Sequence, residues 1–585
     1  MNHFSVPFTV KNSVIYDADG KKVKLWGVNY YTPFNSNFYN IEELGKDHFA
    51  AIDEDLRHFK LMNIDFIRMH LYDREITDRN GNIVENRNLR VFDYLVDQCE
   101  KNGIYLMLTP TVWWNTVNNQ IFQEKYYAFW FIDAQEAFGF SNYYSCDSMI
   151  WDPDAIRCQE TYLNALFSRK STVSGKRLAE YRNIVAIELF NEPRFPNFRQ
   201  LDRDIDLEKA GMDAATWSRG RQRLKLVAMW EEFLKQHPEI SNDEKGFRAF
   251  RAEVIRHYFE RLWPIVDRYF GKNVLKAQFP SSNGTIPEDL RSMFDSCDID
   301  ALTLGTYLNV NSFDGSNTDS SNHLDLALQW FKPYENLPKG KYARVAYEFD
   351  ATATQNGYPL AAIAALYAKY DVQLAAYFTY TPYAVAAWNP GWLVHFMNIA
   401  HTPSRAAGFA AAGEIFRNHE PRDPVIMEEN AWHGKDFALE RKNDFVYFKN
   451  DSTFRYSNDN DIPLGDVSAL KIVSGRGKSR FAESRSNGIY FLEKKNDQEW
   501  LLVIFPSQRF LSDPGRGKTY RSMANRYVNC LKEPPVSQLL EQKVDFKMNA
   551  FEISSCKSAE DGTVFPVASD KTLLLPPGSY LLKVK

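Results

Sequence analysis

The chain has 585 residues, too many for one compact core, which predicts a large domain joined by at least one more. Hydrophobic residues make up 44% and charged residues 25%, the balance of a water-soluble globular protein rather than a membrane or disordered one. The net charge is −5 with both signs scattered and no basic block, which argues against a nucleic-acid partner.

Met1 to Val10 has no basic segment followed by an apolar one, and no later stretch approaches a membrane span. The expectation is a soluble, cytoplasmic protein without membrane association, or a periplasmic or secreted one if a signal has been removed. Phe8–Ile15, the Asp17–Gly20 turn and Lys22–Val28 read as strand, turn, strand, because Asp-Gly is a hairpin signal. Short apolar runs then alternate with helical patterns. The candidate strands are Leu25–Asn29, Phe66–His70, Tyr105–Pro110, Val185–Phe190, Val274–Phe279, Ala301–Thr306, Arg344–Glu348 and Ala375–Tyr380. Between the second and third, Asn88–Asn102 carries Leu89, Phe92, Leu95, Val96 and Cys99 at helical spacing, with Gly103 as the left-handed stop. Thr402-Pro403 reads as N-cap and first-turn proline of a helix over Ser404–Arg417.

Eight strand–helix units imply parallel strands closed into a (β/α)8 TIM barrel, an α/β fold. Larger inserts near 115–165, rich in Trp, Tyr and Phe, and near 197–262, charged and helical, follow the third and fourth strands, where the loops of such a barrel build its working face. Beyond about residue 425 short alternating strands take over, ending in Leu573–Leu575, a Pro-Pro-Gly turn and Tyr580–Val584. The expected division is therefore a barrel domain over 1–424 and a C-terminal antiparallel β-sandwich over 425–585. The second is expected to be non-catalytic and to pack on the barrel or mediate a homo-oligomer. The six cysteines form no CxxC pair; Cys99 and Cys297 read as reduced buried thiols.

The fourth strand runs out through Glu188 to Asn191-Glu192-Pro193, and the seventh through Tyr347-Glu348-Phe349-Asp350. Both place a carboxylate at the C-terminal end of a barrel strand, the catalytic position of this fold. Two such groups across a sugar-sized mouth are the minimum equipment for glycoside hydrolysis, one protonated to release the leaving group and one ionised to attack the anomeric carbon. The aromatic share of 15% suits stacking on sugar faces, although a large barrel also buries many rings. Glu188, four residues deeper, reads as a structural acid. Asp350 has the strand parity of Glu348 and is the rival nucleophile.

This ordered series resembles clan A of the glycoside hydrolases, the cellulase-like, β-mannosidase and β-galactosidase superfamily, over roughly residues 8–420. The resemblance implies a retaining β-glycosidase with Glu192 as acid/base, Glu348 as nucleophile and their carboxyl groups ~5–5.5 Å apart. It implies no metal and no organic cofactor. It also implies roles for Asn191 beside the acid/base, for Arg68 at the end of the second strand, and for Tyr307, which in the clan hydrogen-bonds the nucleophile. Arg68 could otherwise be half of a structural salt bridge. His70 either meets sugar hydroxyls or packs, and of Trp113 and Trp114 one is expected to line the sugar site. Trp388 is the candidate sugar platform, with Trp151 and His395 as further candidates. The chain departs from the clan at Gly305, where many members carry His, and at the eighth strand, where Tyr380-Thr381-Pro382-Tyr383 precedes Trp388.

The implied substrate is a β-linked oligosaccharide cut by an exo-enzyme of β-mannosidase, β-galactosidase or β-glucosidase type. The alternatives are an endo-acting mannanase or glucanase and a non-catalytic carbohydrate-binding barrel. A metal-dependent barrel hydrolase would need clustered His and Asp, such as His-x-His after the first strand, where Asn29-Tyr30-Tyr31 stands; the chain has 11 His.

Overall fold

The computed structural model describes residues 4–585 except 113–138, 143, 145–147, 194, 202–213, 279–295, 309–320, 338–339, 353, 389–394, 512–529 and 541; of 200 and 214–223 it describes the backbone alone. Trp113 and Trp114 lie outside the described residues.

A short hairpin, β1 (Thr9–Lys11) and β2 (Val14–Tyr16), precedes the barrel. Its turn is at Asn12-Ser13, both with positive φ (52° and 67°), not at Asp17–Gly20 as the Asp-Gly pair suggests. A two-residue turn with both φ positive matches the strand twist, and Asn tolerates it. Asp17–Gly20 instead folds the chain back so that Lys22 bridges Tyr16 on the way into the barrel.

The barrel strands are β3 (Leu25–Asn29), β4 (Phe66–His70), β5 (Tyr105–Thr109), β6 (Ile184–Ile187), β7 (Leu275–Lys276), β8 (Ala301–Leu308), β9 (Ala343–Ala351) and β10 (Leu374–Tyr377). They are hydrogen-bonded in parallel in the order β7-β6-β5-β4-β3-β10-β9-β8. A bridge from Ala277 to Ala301 closes the ring, with Gln278 N–H donating to the Ala301 carbonyl at 3.1 Å. Strands such as β6 and β10 fall on short apolar runs of the sequence, because both faces of a parallel strand are covered, while polar residues interrupt β4 at Arg68, β7 at Lys276 and β9 at Arg344 and Glu348. Leu25, Phe66, Met107, Val185, Leu275, Val345 and Leu374 pack inside the ring with Phe8, Ile15 and Val23, so the hairpin plugs the N-terminal floor. Gln373 pins it there, accepting from Ile15 N–H at 2.8 Å and donating to the Ile15 and Val23 carbonyls, both at 3.0 Å.

The outer layer includes α1 (Asn35–Glu43), α2 (His48–Leu61), α3 (Asp73–Ile76), α4 (Arg87–Asn102), α5 (Pro153–Ser168), α6 (Ala214–Gln236), α7 (Glu244–Phe270), α8 (His323–Phe331), α9 (Tyr358–Lys369) and α10 (Pro403–Asn418). Helix α4 ends at left-handed Gly103 (φ 76°), and α10 opens on Thr402-Pro403, as their spacing predicts. The stretch near 115–165 includes α5, which returns the chain to β6. The stretch near 197–262 includes α6 and most of α7.

After α10 the described elements are strands apart from one short 3-10 turn, Val467–Ala469. An eleven-stranded sheet and a three-stranded sheet face each other, with Phe454, Val473, Tyr490, Trp500 and Leu502 of the large sheet packed on Phe546, Leu573 and Leu575 of the small one. The pairing is antiparallel except between Thr453–Tyr456 and Ile472–Gly475, where the long connection 457–471 allows a parallel return. The other face of the large sheet, through Trp432, Leu439, Val446, Phe448 and Phe505, joins the barrel's own core. A buried ion pair, Arg455 to Glu414 of α10 at 3.1 Å, spans that contact. The β-sandwich is thus packed on the outside of the barrel. Among the described residues no helix is long and apolar enough to cross a membrane.

Candidate active site

The C-terminal ends of the barrel strands converge on one arginine. Arg68, wholly buried near the end of β4, donates from Nε to Glu188 at 2.9 Å and from Nη1 to Asn29 Oδ1 at 2.9 Å and Glu348 Oε1 at 2.8 Å. Its Nη2 donates to Asn191 Oδ1 at 2.8 Å and makes a second bond to Glu188. One side chain therefore ties together the ends of β3, β4, β6 and β9. Arg68 pairs with Glu188 and at the same time holds Glu348.

Glu348 is buried, and its two oxygens are separately held. Arg68 holds Oε1, and Tyr307, at the end of β8, donates its phenol proton to Oε2. His70 Nε2 lies 3.3 Å from Oε1 and 2.7 Å from Arg68 Nη1. Burial alone would push the Glu348 carboxyl up. The His70 contact, the Arg68 charge and the Tyr307 proton outweigh it and hold the group below the usual glutamate range. His70 itself is pushed down to about 4 by burial and by Arg68, so it stays neutral at pH 7. Glu188, which also accepts from Thr109 at 3.0 Å, is pushed up by burial despite Arg68. The two carboxylates on Arg68 thus shift in opposite directions.

Glu192 sits beyond the end of β6 with φ +45°, a left-handed conformation uncommon outside glycine. The chain there is clamped on both sides. Asn191 N–H donates to the Thr111 carbonyl at 3.0 Å, and Gln278 both accepts from Phe190 N–H at 3.2 Å and donates to its carbonyl at 2.7 Å. Glu192 Oε1 accepts from the Tyr347 phenol at 2.8 Å. Asn191 Nδ2 is buried and has no hydrogen-bond partner among the described residues.

The structure thus brings together Arg68, His70, Asn191, Glu192, Tyr307 and Glu348. It places others elsewhere. Asp350 is bound by Arg405 and by His395 Nδ1 at 2.9 Å, so its carboxylate is committed to a structural net. Trp388 donates its indole N–H to the Glu533 carbonyl at 3.0 Å and packs against the Ile41, Val385 and Cys530 cluster. Trp151 is buried in the main core. Among the described residues, aromatic rings near the site include Tyr31 and Tyr72, each 6.3 Å from His70, and Phe378, at 6.2 Å from His70 and 6.4 Å from Tyr307. Phe378 stands directly after β10, at the end of the eighth strand. Asn29 and Tyr347 belong to the same net. Asn29 ends the first barrel strand, a position that could have singled it out. Tyr347 carries no such signal. Among the described residues no group of three or more His, Cys, Asp or Glu is arranged to hold a metal ion.

Fold and site together define a (β/α)8 barrel with a glutamate beyond its fourth strand and another on its seventh, the second held by arginine and tyrosine. No family model matches the chain. Over 115 residues it is 35% identical to mannan endo-1,4-β-mannosidase 2 of Arabidopsis thaliana, a stretch covering 19% of this chain and 24% of that protein. The chain thus spans about a quarter of the length of this curated relative. Among solved structures it is similar to the endo-β-1,4-mannanase from Thermotoga petrophila, with 12% identity, 83% of this chain and 95% of that chain covered, and a TM-score of 0.42. It is also similar to the exo-β-1,4-mannosidase Op5Man5 from Opitutaceae bacterium strain TAV5, with 13% identity, 64% and 55% covered, and a TM-score of 0.40.

Proposed function

We propose that the protein is a retaining β-glycosidase acting on β-linked oligosaccharides, with Glu192 as acid/base and Glu348 as nucleophile. The observation that carries this reading is the unlike environment of two carboxylates joined by one hydrogen-bonded net. Glu348 is held ionised by Arg68, His70 and Tyr307, whereas Glu192 accepts from the Tyr347 phenol.

In the first step Glu348 attacks the anomeric carbon while Glu192 gives its proton to the departing oxygen. The bond to the leaving group breaks as the glycosyl–enzyme ester forms. Arg68 and Tyr307 let go of charge as Glu348 is esterified and recover it when the carboxylate is released. In the second step Glu192, now ionised, takes a proton from water, and the water oxygen displaces Glu348 with net retention. Asn191 Nδ2 is the donor available to a sugar hydroxyl in both steps, and Phe378 and Tyr31 supply apolar faces.

For the sugar, the 115-residue likeness to the Arabidopsis mannosidase supports a β-mannoside. The length of the connections after β5 and β6 favours exo-action, since such loops build the working face of a barrel. The same likeness favours a second form of the reading, endo-action on β-1,4-mannan. A panel of aryl β-glycosides, with the first-formed sugar anomer read by proton NMR, tests the reaction class. The expected result is turnover on the β-mannoside with the β-anomer appearing first. An α-anomer appearing first, or no turnover on any member, would overturn it. Mannohexaose separates the two forms: an exo-enzyme releases only mannose in the first turnovers, an endo-enzyme a mixture of oligosaccharides.

A further inference from the structure

Strands β8 and β9 do not pair evenly. Leu304 faces Ala346 and Gly305 faces Glu348, so Tyr347 is an extra residue in β9. In an unbroken strand neighbouring side chains point to opposite faces, and Tyr347 would turn away from Glu348. A bulge lets consecutive residues share a face and re-aims a side chain. Here the Tyr347 ring lies on the bare backbone of Gly305, where an added Cβ would stand 2.9 Å from the phenol oxygen and 3.1 Å from Cε1. The Arg68 guanidinium is 4.8 Å from the ring centroid, and the phenol donates to Glu192 Oε1 at 2.8 Å.

We propose that Tyr347 is the positioning residue of the acid/base, holding Glu192 Oε1 as an acceptor so that the catalytic proton resides on Oε2. This rests on the reading of Glu192 as acid/base. A phenol has one proton to give. Burial and the carboxylates around it keep Tyr347 protonated far above neutral pH, so it meets Glu192 as a donor. A carboxyl oxygen that already accepts a proton from a phenol cannot also carry the acid proton toward it, so that proton belongs on the other oxygen. The same bond persists when Glu192 is ionised, where it is stronger because the acceptor is charged. Tyr347 thus keeps one oxygen in service through both half-reactions. It also favours the ionised form over the protonated one, and Gly305 is the vacancy that admits the ring.

Tyr347→Phe removes the donor and keeps the ring. The alkaline limb of kcat/KM, which reports Glu192 in the free enzyme, is then expected to move up by about one pH unit, since the ionised form loses a hydrogen bond. kcat/KM for alkyl or sugar leaving groups is expected to fall roughly tenfold, and for a dinitrophenolate, which needs little protonation, to change by less than about twofold. Gly305→Ala leaves the tyrosine in place but forces its oxygen away, so it is expected to shift the limb in the same direction. An unmoved limb in both variants, or equal losses with good and poor leaving groups, would overturn the proposal. Infrared difference titration of the Glu192 carboxyl, wild type against Glu192→Gln, needs no turnover. Its midpoint is expected to rise in the Tyr347→Phe background, and a midpoint that stays put sinks the positioning role even in an active enzyme. Inactivity of the wild type on every glycoside, with the midpoint still rising, would instead remove the glycosidase reading and leave the Tyr347–Glu192 coupling standing.

Discussion

Two buried arginine–carboxylate nets lie on β9, anchored two residues apart, and they are built on different plans. Arg405 of α10 serves one carboxylate, Asp350. Its remaining bonds go to the Ala351 and Thr354 carbonyls and to the Tyr377 phenol at 2.8 Å, and Asp350 is completed by His395. Charge is matched one to one, and the net staples an outer helix to the barrel mouth. Arg68 serves two carboxylates, Glu188 and Glu348, and so leaves the mouth with negative charge in excess. A purely structural pair has no reason to carry that excess, since an unmatched buried charge costs several kcal/mol. At Arg68 the two carboxylates are shifted apart: burial raises Glu188, while the His70 contact, the Arg68 charge and the Tyr307 proton hold Glu348 down. Equal burial two residues apart therefore says little about role. The number of carboxylates per cation, and what else donates to each, says more.

Substitutions can break that contrast, and their effects on activity are expected to descend in order. Glu348→Ala is expected to lower kcat by roughly 10⁴–10⁶-fold on every substrate, the scale on which an essential nucleophile is lost. Added azide then yields a glycosyl azide of inverted configuration, read by NMR. Turnover within tenfold of wild type would place the nucleophile elsewhere. Glu192→Ala is expected to cost ~10²–10⁴-fold on sugar leaving groups and much less in the first step with a dinitrophenolate. Its azide product retains configuration, so opposite anomers from the two variants assign the roles, and a swap of the two would reverse them.

Tyr307→Phe takes one donor from Glu348. Its pKa is held down in the folded enzyme, so activity persists as pH falls until that lowered value is crossed. Removing a donor to the ionised form raises the pKa, and the acid limb of kcat/KM is expected to move up by about one unit, with kcat down roughly tenfold. A limb that moves down contradicts the sign of the argument. The smallest effect on activity is expected from Asp350→Asn, because its net is structural. kcat on an aryl glycoside is expected to stay within about fivefold of wild type, while urea denaturation shows a loss of about 3 kcal/mol from leaving Arg405 without its counter-charge. Collapse of kcat at unchanged stability would show that the two nets differ less than their wiring suggests.

Much of the frame was legible because it rests on local patterns. Apolar runs such as Ile184–Ile187 and Leu374–Tyr377 are covered on both faces and announce parallel strands. Gly103 and Thr402-Pro403 marked helix ends where they stand. Turn chemistry misled where two signals competed, and Asn12-Ser13 prevailed over Asp19-Gly20 because only the former matches the twist of the short hairpin. Trp388 drew notice by its residue type, yet its indole is committed to Glu533, while Phe378, a less conspicuous ring one residue past β10, stands by His70.

By itself the sequence determined which strands form the barrel and that Glu192 and Glu348 belong near their C-terminal ends, because order along the chain and strand periodicity are one-dimensional facts. Arg68 and Tyr307 came forward as partners through the resemblance to clan A. The tertiary structure alone decided that Asp350 is spent on Arg405, that Glu188 shares Arg68 with Glu348, and that Tyr347 reaches Glu192. The last depends on a bulge that exists only where β8 and β9 pair out of step, and on the absence of a side chain at Gly305 across the ladder. Strand alternation read along β9 points Tyr347 the other way, and only the register with its neighbour turns it in.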